Sequence, residues 1–132
     1  MNWHIRDPRR FQKEVEIMRH GSHARLMSEG GRVFWLEDLR SPTGRPYRLV
    51  IDYPDRFPYE APRAFVVEPR ITGAPHVLVD GSLCLFDNPL AGIGLGTTAL
   101  LVRNRAVTWF LLYEIWRVTS EWVGPQHGSV AA

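Results

Sequence analysis

Cysteine and lysine are almost absent from this sequence: Cys84 is its only cysteine, and Lys13 is the only lysine among its 16 basic residues. A single cysteine cannot form a disulfide within the chain, so a reducing cytoplasm is the expected location. The formal net charge of +2 is too small to indicate a nucleic-acid partner. The lysine scarcity fits either the codon bias of a GC-rich genome or a protein that carries a reactive acyl group.

Long apolar runs are also missing. The most apolar stretch, ALLVRNRAVTWFLLYEIW, is interrupted by Arg103 and Arg105, so nothing approaches the roughly 20 apolar residues of a membrane span. The N-terminal MNWHIRDPRR lacks the apolar core of a signal peptide. Neither a membrane nor a nucleic acid is therefore expected as a partner. No repeat or linker is evident, and the length and composition predict one domain over residues 1–132.

Hydrophobic periodicity predicts a helix followed by four strands. Asp7 and Pro8 are typical of a helix start, helical spacing continues to His20, and Gly21 is the expected C-cap. The strands are expected at HARLM (23–27), RVFWLEDL (32–39), YRLVIDY (47–53) and RAFVVE (63–68). Short connections between them favour an antiparallel meander with one covered face, which the helix could supply.

The remaining segments complete an α+β pattern. YPDRFPYEAP carries prolines at 54, 58 and 62, which exclude a regular ladder and predict a fixed path over the sheet edge. From about Thr97 the chain is expected to form one or two helices. Their expected core residues are Leu100, Leu101, Trp109, Phe110, Leu112 and Ile115.

Cys84 lies in PHVLVDGSLCLF, residues 75–86, between two leucines and after an Asp-Gly turn. Taken alone, it is compatible with a buried and inert small residue. It could instead bind metal with His76, although a structural zinc site needs four ligands. A Cys-His nucleophilic pair is a further alternative, which would need a third, orienting residue.

Several spaced motifs together resemble the ubiquitin-conjugating enzyme (UBC-like) family over residues 8–86. Tyr53-Pro54, Phe57-Pro58 and Pro62 match the family's proline-rich crossing, and DGSLCL matches its active-site segment. The resemblance implies a UBC-like fold: an N-terminal helix, a four-stranded antiparallel meander, an active-site loop and a C-terminal helix. It also implies that Cys84 accepts a ubiquitin-like C-terminus as a thioester and passes it to an amine.

The aromatic C-terminal part, TWFLLYEIWRVTSEWVG, is most similar to the bacterial conjugating-enzyme-like proteins of antiphage operons called CBASS. This resemblance implies two partners. One is an ATP-using, ThiF-like activating enzyme. The other is an acyl-donor protein with a flexible C-terminus, such as a cyclic-oligonucleotide synthase. No cofactor or metal is implied on this chain, because the partner would use the ATP.

His76 stands where the family keeps the asparagine of a His-Pro-Asn tripeptide, eight residues before the cysteine. A neutral imidazole N–H could donate the hydrogen bond that an amide would give to the transition state. An unprotonated ring nitrogen could instead accept a proton from the amine or the thiol. In the third interpretation, the histidine only hydrogen-bonds the loop backbone.

Three further residues are auxiliary candidates around Cys84. Asp87 could orient or deprotonate an incoming lysine, and Ser82 and Asn88 could line the same groove. Asp80 is interpreted as the former of the Asp-Gly turn. Two rival functions stay open: a catalytically idle binding module of the same fold, and a Cys-His hydrolase of unrelated mechanism.

Overall fold

The computed structural model describes residues 2–86 and 96–124. Its elements in chain order are α1 (Trp3–Arg6), α2 (Pro8–Gly21), β1 (Arg25–Glu29), β2 (Arg32–Arg40), β3 (Pro46–Asp52), β4 (Arg63–Glu68) and α3 (Ala99–Thr119). The strands form one antiparallel sheet in the order β1-β2-β3-β4. The predicted α+β class, with its helix, meander and C-terminal helix, is confirmed. No helix in the described part of the chain has both the length and the apolarity needed to cross a membrane.

Helix α2 begins where the sequence predicted. The Asp7 carboxylate accepts a hydrogen bond from the Arg10 backbone N–H at 3.2 Å, and Pro8 occupies the first helical position. Gly21 as C-cap is wrong, because it is the last helical residue and Ser22 is the cap. A Cβ at Gly21 would lie only 2.6 Å from Leu100, so the glycine permits close packing between α2 and α3.

The alternation of β3 places its apolar residues toward the helices. The four residues predicted to share a face are all buried: Tyr47, Leu49, Ile51 and Tyr53. Trp35 of β2 and Ala64 of β4, whose Cα atoms pair with Ile51, belong to the same core cluster. Helix α3 contacts β3 and β4, and α2 packs against α3. Met18 of α2 belongs to the same core cluster, so both helices contribute to the cover over this face.

Residues 98–119 form a single helix with its N-cap, and its buried face differs in part from the prediction. The Thr98 hydroxyl caps the helix by accepting from the Leu101 N–H at 3.1 Å. Trp109 and Phe110 are buried as predicted, whereas Leu101 is 39% exposed and that prediction is wrong. Helical geometry instead buries one stripe, formed by Ala99, Val102, Ala106, Trp109, Phe110 and Tyr113.

The N-terminal residues pack on the proline-rich crossing, which the sequence did not indicate. Trp3 of α1 is buried, with ring centroids 4.7 Å from Tyr53 and 4.6 Å from Phe57. The Arg6 guanidinium donates to the Asp55 carbonyl at 3.0 Å. This aromatic cluster holds the crossing against the start of the chain.

Two buried carboxylates fix α3 against the rest of the fold. The Glu37 carboxylate accepts hydrogen bonds from Nε and Nη2 of Arg103, at 2.9 and 2.8 Å. The Glu14 carboxylate accepts from the Tyr53 hydroxyl at 2.8 Å and from the Ala99 N–H at 3.0 Å. Because charge-assisted bonds of this kind are directional, they set both the rotation and the height of α3. That placement decides which α3 side chains meet the segment around Cys84.

Candidate active site

The residues from His76 to Cys84 form a narrow antiparallel turn. The Cys84 N–H donates to the His76 carbonyl at 2.9 Å, and Val77 forms a β-bridge with Leu83. At the tip, the Leu78 carbonyl accepts from the Gly81 N–H at 2.9 Å. Gly81 has φ of +90°, a conformation that a residue with a Cβ rarely adopts. The eight-residue spacing between the histidine and the cysteine is therefore the register of this turn.

Asp80 organises the tip of the turn. Its carboxylate accepts from the Ser82 N–H at 2.9 Å, from the Ser82 hydroxyl at 2.6 Å, and from the Arg63 guanidinium of β4. Burial raises the pKa of the Asp80 carboxyl, but the bonds from Ser82 and Arg63 outweigh it and hold the pKa below its ordinary value. Ser82 is 1% exposed. These contacts give both side chains a structural place in the turn.

Cys84 is buried beside the core. Cys84 is 3% exposed, and its neighbours Leu83 and Leu85 belong to the main apolar cluster. The Leu83 N–H donates to the Ala64 carbonyl of β4 at 2.9 Å, which fixes the chain one residue before the thiol. The sulfur lies 3.9 Å from the Phe86 carbonyl oxygen, to which the S–H donates. Burial raises the pKa of the Cys84 thiol, and the contact with Phe86 opposes it only in part.

His76 is held at both its backbone and its ring. It adopts φ of +59°, in the left-handed region, and its carbonyl accepts from the Trp109 indole N–H at 3.2 Å as well as from Cys84. The imidazole packs on the Trp122 ring, with centroids 4.7 Å apart. Trp122 in turn lies 5.7 Å from Trp109. The C-terminal aromatic residues thus order the loop that carries His76.

Two positively charged α3 residues, noted in the sequence only as interruptions of an apolar run, make specific contacts. Arg103 pairs with buried Glu37. Arg105 donates from Nη1 to the Leu85 carbonyl at 3.0 Å, and its guanidinium carbon lies 4.5 Å from the centre of the Phe86 ring. Arg105 is thus a site residue that sequence reasoning missed. Two arginines inside a largely apolar helix were the signal, but local spacing does not reveal their distant partners.

The structure brings together three of the five candidate residues. His76, Ser82 and Cys84 belong to one turn, with the contacts given above. Asp87 and Asn88 lie outside the described residues. Within 2–86 and 96–124, no group of three His, Cys, Asp or Glu side chains is arranged to bind a metal ion. The nucleophilic form of a cysteine is its thiolate, and the burial of Cys84 disfavours that form.

One comparison with known proteins gives a match. The family model described as "Type II CBASS E2 protein" matches residues 13–129, which is most of the chain. No curated protein matches the chain significantly. The matched range contains the whole sheet, the turn with Cys84, and α3.

Proposed function

Because the chain belongs to the Type II CBASS E2 family, with an E2-like role in antiphage defence, we propose that Cys84 is the nucleophile of a conjugating-type acyl transferase. The single observation that carries the proposal is the position of this cysteine. The chain's only thiol directly follows a turn fixed to β4 through Leu83 and to His76 through its own N–H. A backbone fixed in this way holds the thiol at a defined position, which a nucleophile requires.

The proposed reaction has two steps. The Cys84 thiolate attacks the acyl carbon of a thioester held by an ATP-using, ThiF-like activating enzyme. A new S–C bond forms, the partner's sulfur leaves, and that sulfur takes up the proton lost by Cys84. An amine then attacks the new thioester, a C–N bond forms, Cys84 leaves as thiolate, and the proton of the amine restores the thiol. The acyl group is the C-terminus of a ubiquitin-like protein or of a cyclic-oligonucleotide synthase.

The burial of Cys84 sets a condition on this reaction. A thiol that is 3% exposed and has a raised pKa is a poor nucleophile as it stands. We propose that docking of the activating enzyme uncovers the Cys84 sulfur, which removes the desolvation of the thiolate. His76 contributes by ordering the loop beside the thiol, which is supported by the two hydrogen bonds to its carbonyl and by the packing of its ring on Trp122.

The same burial favours a second candidate function. A catalytically idle member of the family would keep the fold as a binding module, and its cysteine would be free to serve as a small buried residue. Such a module would still bind the other CBASS components but would form no covalent intermediate. A covalent adduct on Cys84 therefore separates the two functions.

The test mixes the protein with the activating enzyme encoded beside it, ATP and the candidate acyl donor, followed by gels run with and without thiol reductant. We expect an adduct that reductant removes and that Cys84→Ala lacks. Cys84→Ser should give an adduct that resists reductant, because an oxygen ester replaces the thioester. With a demonstrably active partner, the absence of any adduct on the wild type would establish the idle module.

Lys13 allows a further control, because it is the only lysine. In the Lys13→Arg variant, no side-chain amine remains for self-modification. A reductant-sensitive adduct on this variant is then a thioester on Cys84. A reductant-resistant adduct that disappears with Lys13→Arg marks onward transfer to an amine of the same chain.

A further inference from the structure

Arg105 joins the exposed surface of α3 to the segment that follows Cys84. Its Nη1 donates to the Leu85 carbonyl at 3.0 Å, and the guanidinium carbon lies 4.5 Å from the Phe86 ring centre. Phe86 is also the residue whose carbonyl oxygen lies 3.9 Å from the Cys84 sulfur. One guanidinium thus contacts both residues that come directly after the thiol.

The two sides of Cys84 are held by different means. On the amino side, the Leu83 N–H donates to the Ala64 carbonyl of β4, and the Cys84 N–H donates to the His76 carbonyl within the turn. On the carboxyl side, the Leu85 carbonyl accepts from Arg105 of α3, and the Phe86 carbonyl accepts from the Cys84 S–H. The direction in which the chain leaves Cys84 therefore depends on a side chain of α3.

The contact suits an arginine and would not suit a lysine. A guanidinium is planar, so it can lie over the Phe86 ring and still donate in its own plane to the Leu85 carbonyl. An ammonium group is a compact point charge on a flexible stem. It can reach one of these partners at a time but cannot restrain both.

We propose that Arg105 is a positioning residue for Cys84, which clamps Leu85 and Phe86 so that the thiol keeps one position, also when a partner docks against it. Its importance for acyl transfer rests on the function proposed above. The clamp acts by geometry, since a thioester is already activated and the protein mainly has to align the reacting groups. A displacement of about 1 Å at a reacting atom can lower a rate by about a hundredfold.

The first measurement needs no partner. Because Cys84 is the only cysteine, its reaction with iodoacetamide reports on one thiol. Arg105→Ala and Arg105→Lys should both be alkylated about tenfold faster than wild type, the factor expected when one charge-assisted hydrogen bond is lost. Arg117→Ala is the matched control. Arg117 lies on the same helix with its guanidinium carbon 5.8 Å from the Tyr113 ring centre, and the control should react at the wild-type rate.

Thermal unfolding of all three variants separates the local clamp from general loss of stability. Loss of one such hydrogen bond also lowers the stability of the folded state, so both Arg105 variants should melt a few degrees below the control. Faster alkylation at a temperature where every variant is fully folded supports the clamp. A wild-type alkylation rate in Arg105→Ala overturns it, and a wild-type rate in Arg105→Lys overturns the requirement for a planar guanidinium.

The second measurement follows transfer with the activating enzyme, ATP and the acyl donor. We expect Arg105→Ala to lower kcat for thioester formation by about ten- to a hundredfold and to leave the KM for the activating enzyme unchanged, because a clamp behind the thiol affects alignment. A kcat equal to that of Arg117→Ala would refute the positioning role. If wild type forms no adduct, the proposed function fails, while the alkylation result still decides whether Arg105 restrains Cys84.

Discussion

At the residue scale, His76 combines a backbone role and a side-chain role that substitutions can separate. Its φ of +59° suits glycine and asparagine far better than alanine. We expect His76→Ala to lower the free energy of unfolding by about 1 kcal/mol relative to His76→Gly, because only alanine strains this backbone. Urea unfolding followed by circular dichroism measures the difference. Equal stabilities would show that the left-handed conformation does not persist in solution.

Transfer activity tests the side chain of His76. His76→Asn keeps a residue that tolerates the left-handed region and has an amide N–H to donate, so we expect it to retain most of the thioester transfer. Both variants lose the ring that packs on Trp122, but His76→Gly also leaves no side-chain N–H donor, so we expect a loss of about tenfold or more. The rate of transfer to a free amine is the measurement. Full activity of His76→Gly would show that the side chain is not needed for transfer and that only the backbone of this residue matters.

The pairing of His76 with Cys84 could be predicted because both lie in one short turn, where sequence spacing becomes hydrogen-bond register. The contacts of Arg105 with Leu85 and of Trp122 with His76 could not be predicted. Each joins residues far apart in sequence, and the meeting depends on how α3 is rotated against the sheet. Burial of the thiol was equally hidden, because it depends on the packing around Leu83 and Leu85.

At the element scale, α3 ends in a residue poorly suited to its conformation. Ser120, the C-cap, has φ of +61° and donates its N–H to the Trp116 carbonyl at 2.7 Å. Glycine adopts this conformation without a Cβ penalty, so Ser120→Gly should stabilise the protein by about 0.5–1 kcal/mol. Val118→Gly, at an exposed position inside the same helix, is the control and should be destabilising. A lower melting temperature for Ser120→Gly would contradict this reading of the cap.

The segment after α3 is placed by a close contact. A Cβ at Gly124 would overlap the Leu112 side chain, whereas a Cβ at Gly96 would meet no atom within 4 Å. Gly124→Ala should therefore push the segment away from α3 and loosen the packing of Trp122 on His76, with a loss of up to about 1 kcal/mol. Gly96→Ala should be neutral. The ring-current shift of the His76 ring protons in NMR spectra measures the contact, and an unchanged shift would contradict the prediction.

Most of the helices and strands could be predicted from the sequence. β4 has the predicted bounds, and the start of α2 followed from Asp7 and Pro8, because period and capping are local properties. The short helix α1 was missed because four residues carry no period, and its position comes from Trp3 packing on distant aromatic residues. Leu101 was misassigned because an almost continuously apolar helix does not reveal which stripe is buried.

At the scale of the whole molecule, Glu14 and Glu114 are two of the carboxylates that tie α3 to the rest of the fold, and their contributions depend on pH in opposite directions. Burial raises the pKa of Glu14 above its ordinary value of 4.5, although hydrogen bonds from Ala99 and Tyr53 oppose the shift. Burial also raises the pKa of Glu114, but hydrogen bonds from Thr43 and Tyr47, among others, outweigh it and hold the pKa below 4.5. An acid with a raised folded pKa binds more protons when folded, so its contribution to stability falls as pH rises. An acid with a lowered folded pKa binds fewer protons when folded, so its contribution to stability rises with pH.

The opposite pKa shifts of Glu14 and Glu114 predict opposite effects of pH on the stability of the fold. Glu14 stabilises the fold below pH 4.5, and this contribution is lost as pH rises through its folded pKa. Glu114 stabilises the fold above pH 4.5, and this contribution is lost as pH falls through its folded pKa. Glu14→Gln, whose amide oxygen can accept the same two donors, should therefore gain stability relative to wild type as pH rises. Glu114→Gln should lose stability relative to wild type over the same range.

Urea unfolding of both variants between about pH 3 and pH 7 measures these differences, which should be on the order of 1 kcal/mol for buried Glu14 and smaller for Glu114, because solvent screens its charge. Because both substitutions remove one carboxylate, the change in net charge is matched, and only the local environment differs. Opposite slopes would show that α3 is held by one protonatable and one ionised carboxylate. Parallel slopes would mean that general charge repulsion, rather than these two contacts, governs the stability of the fold.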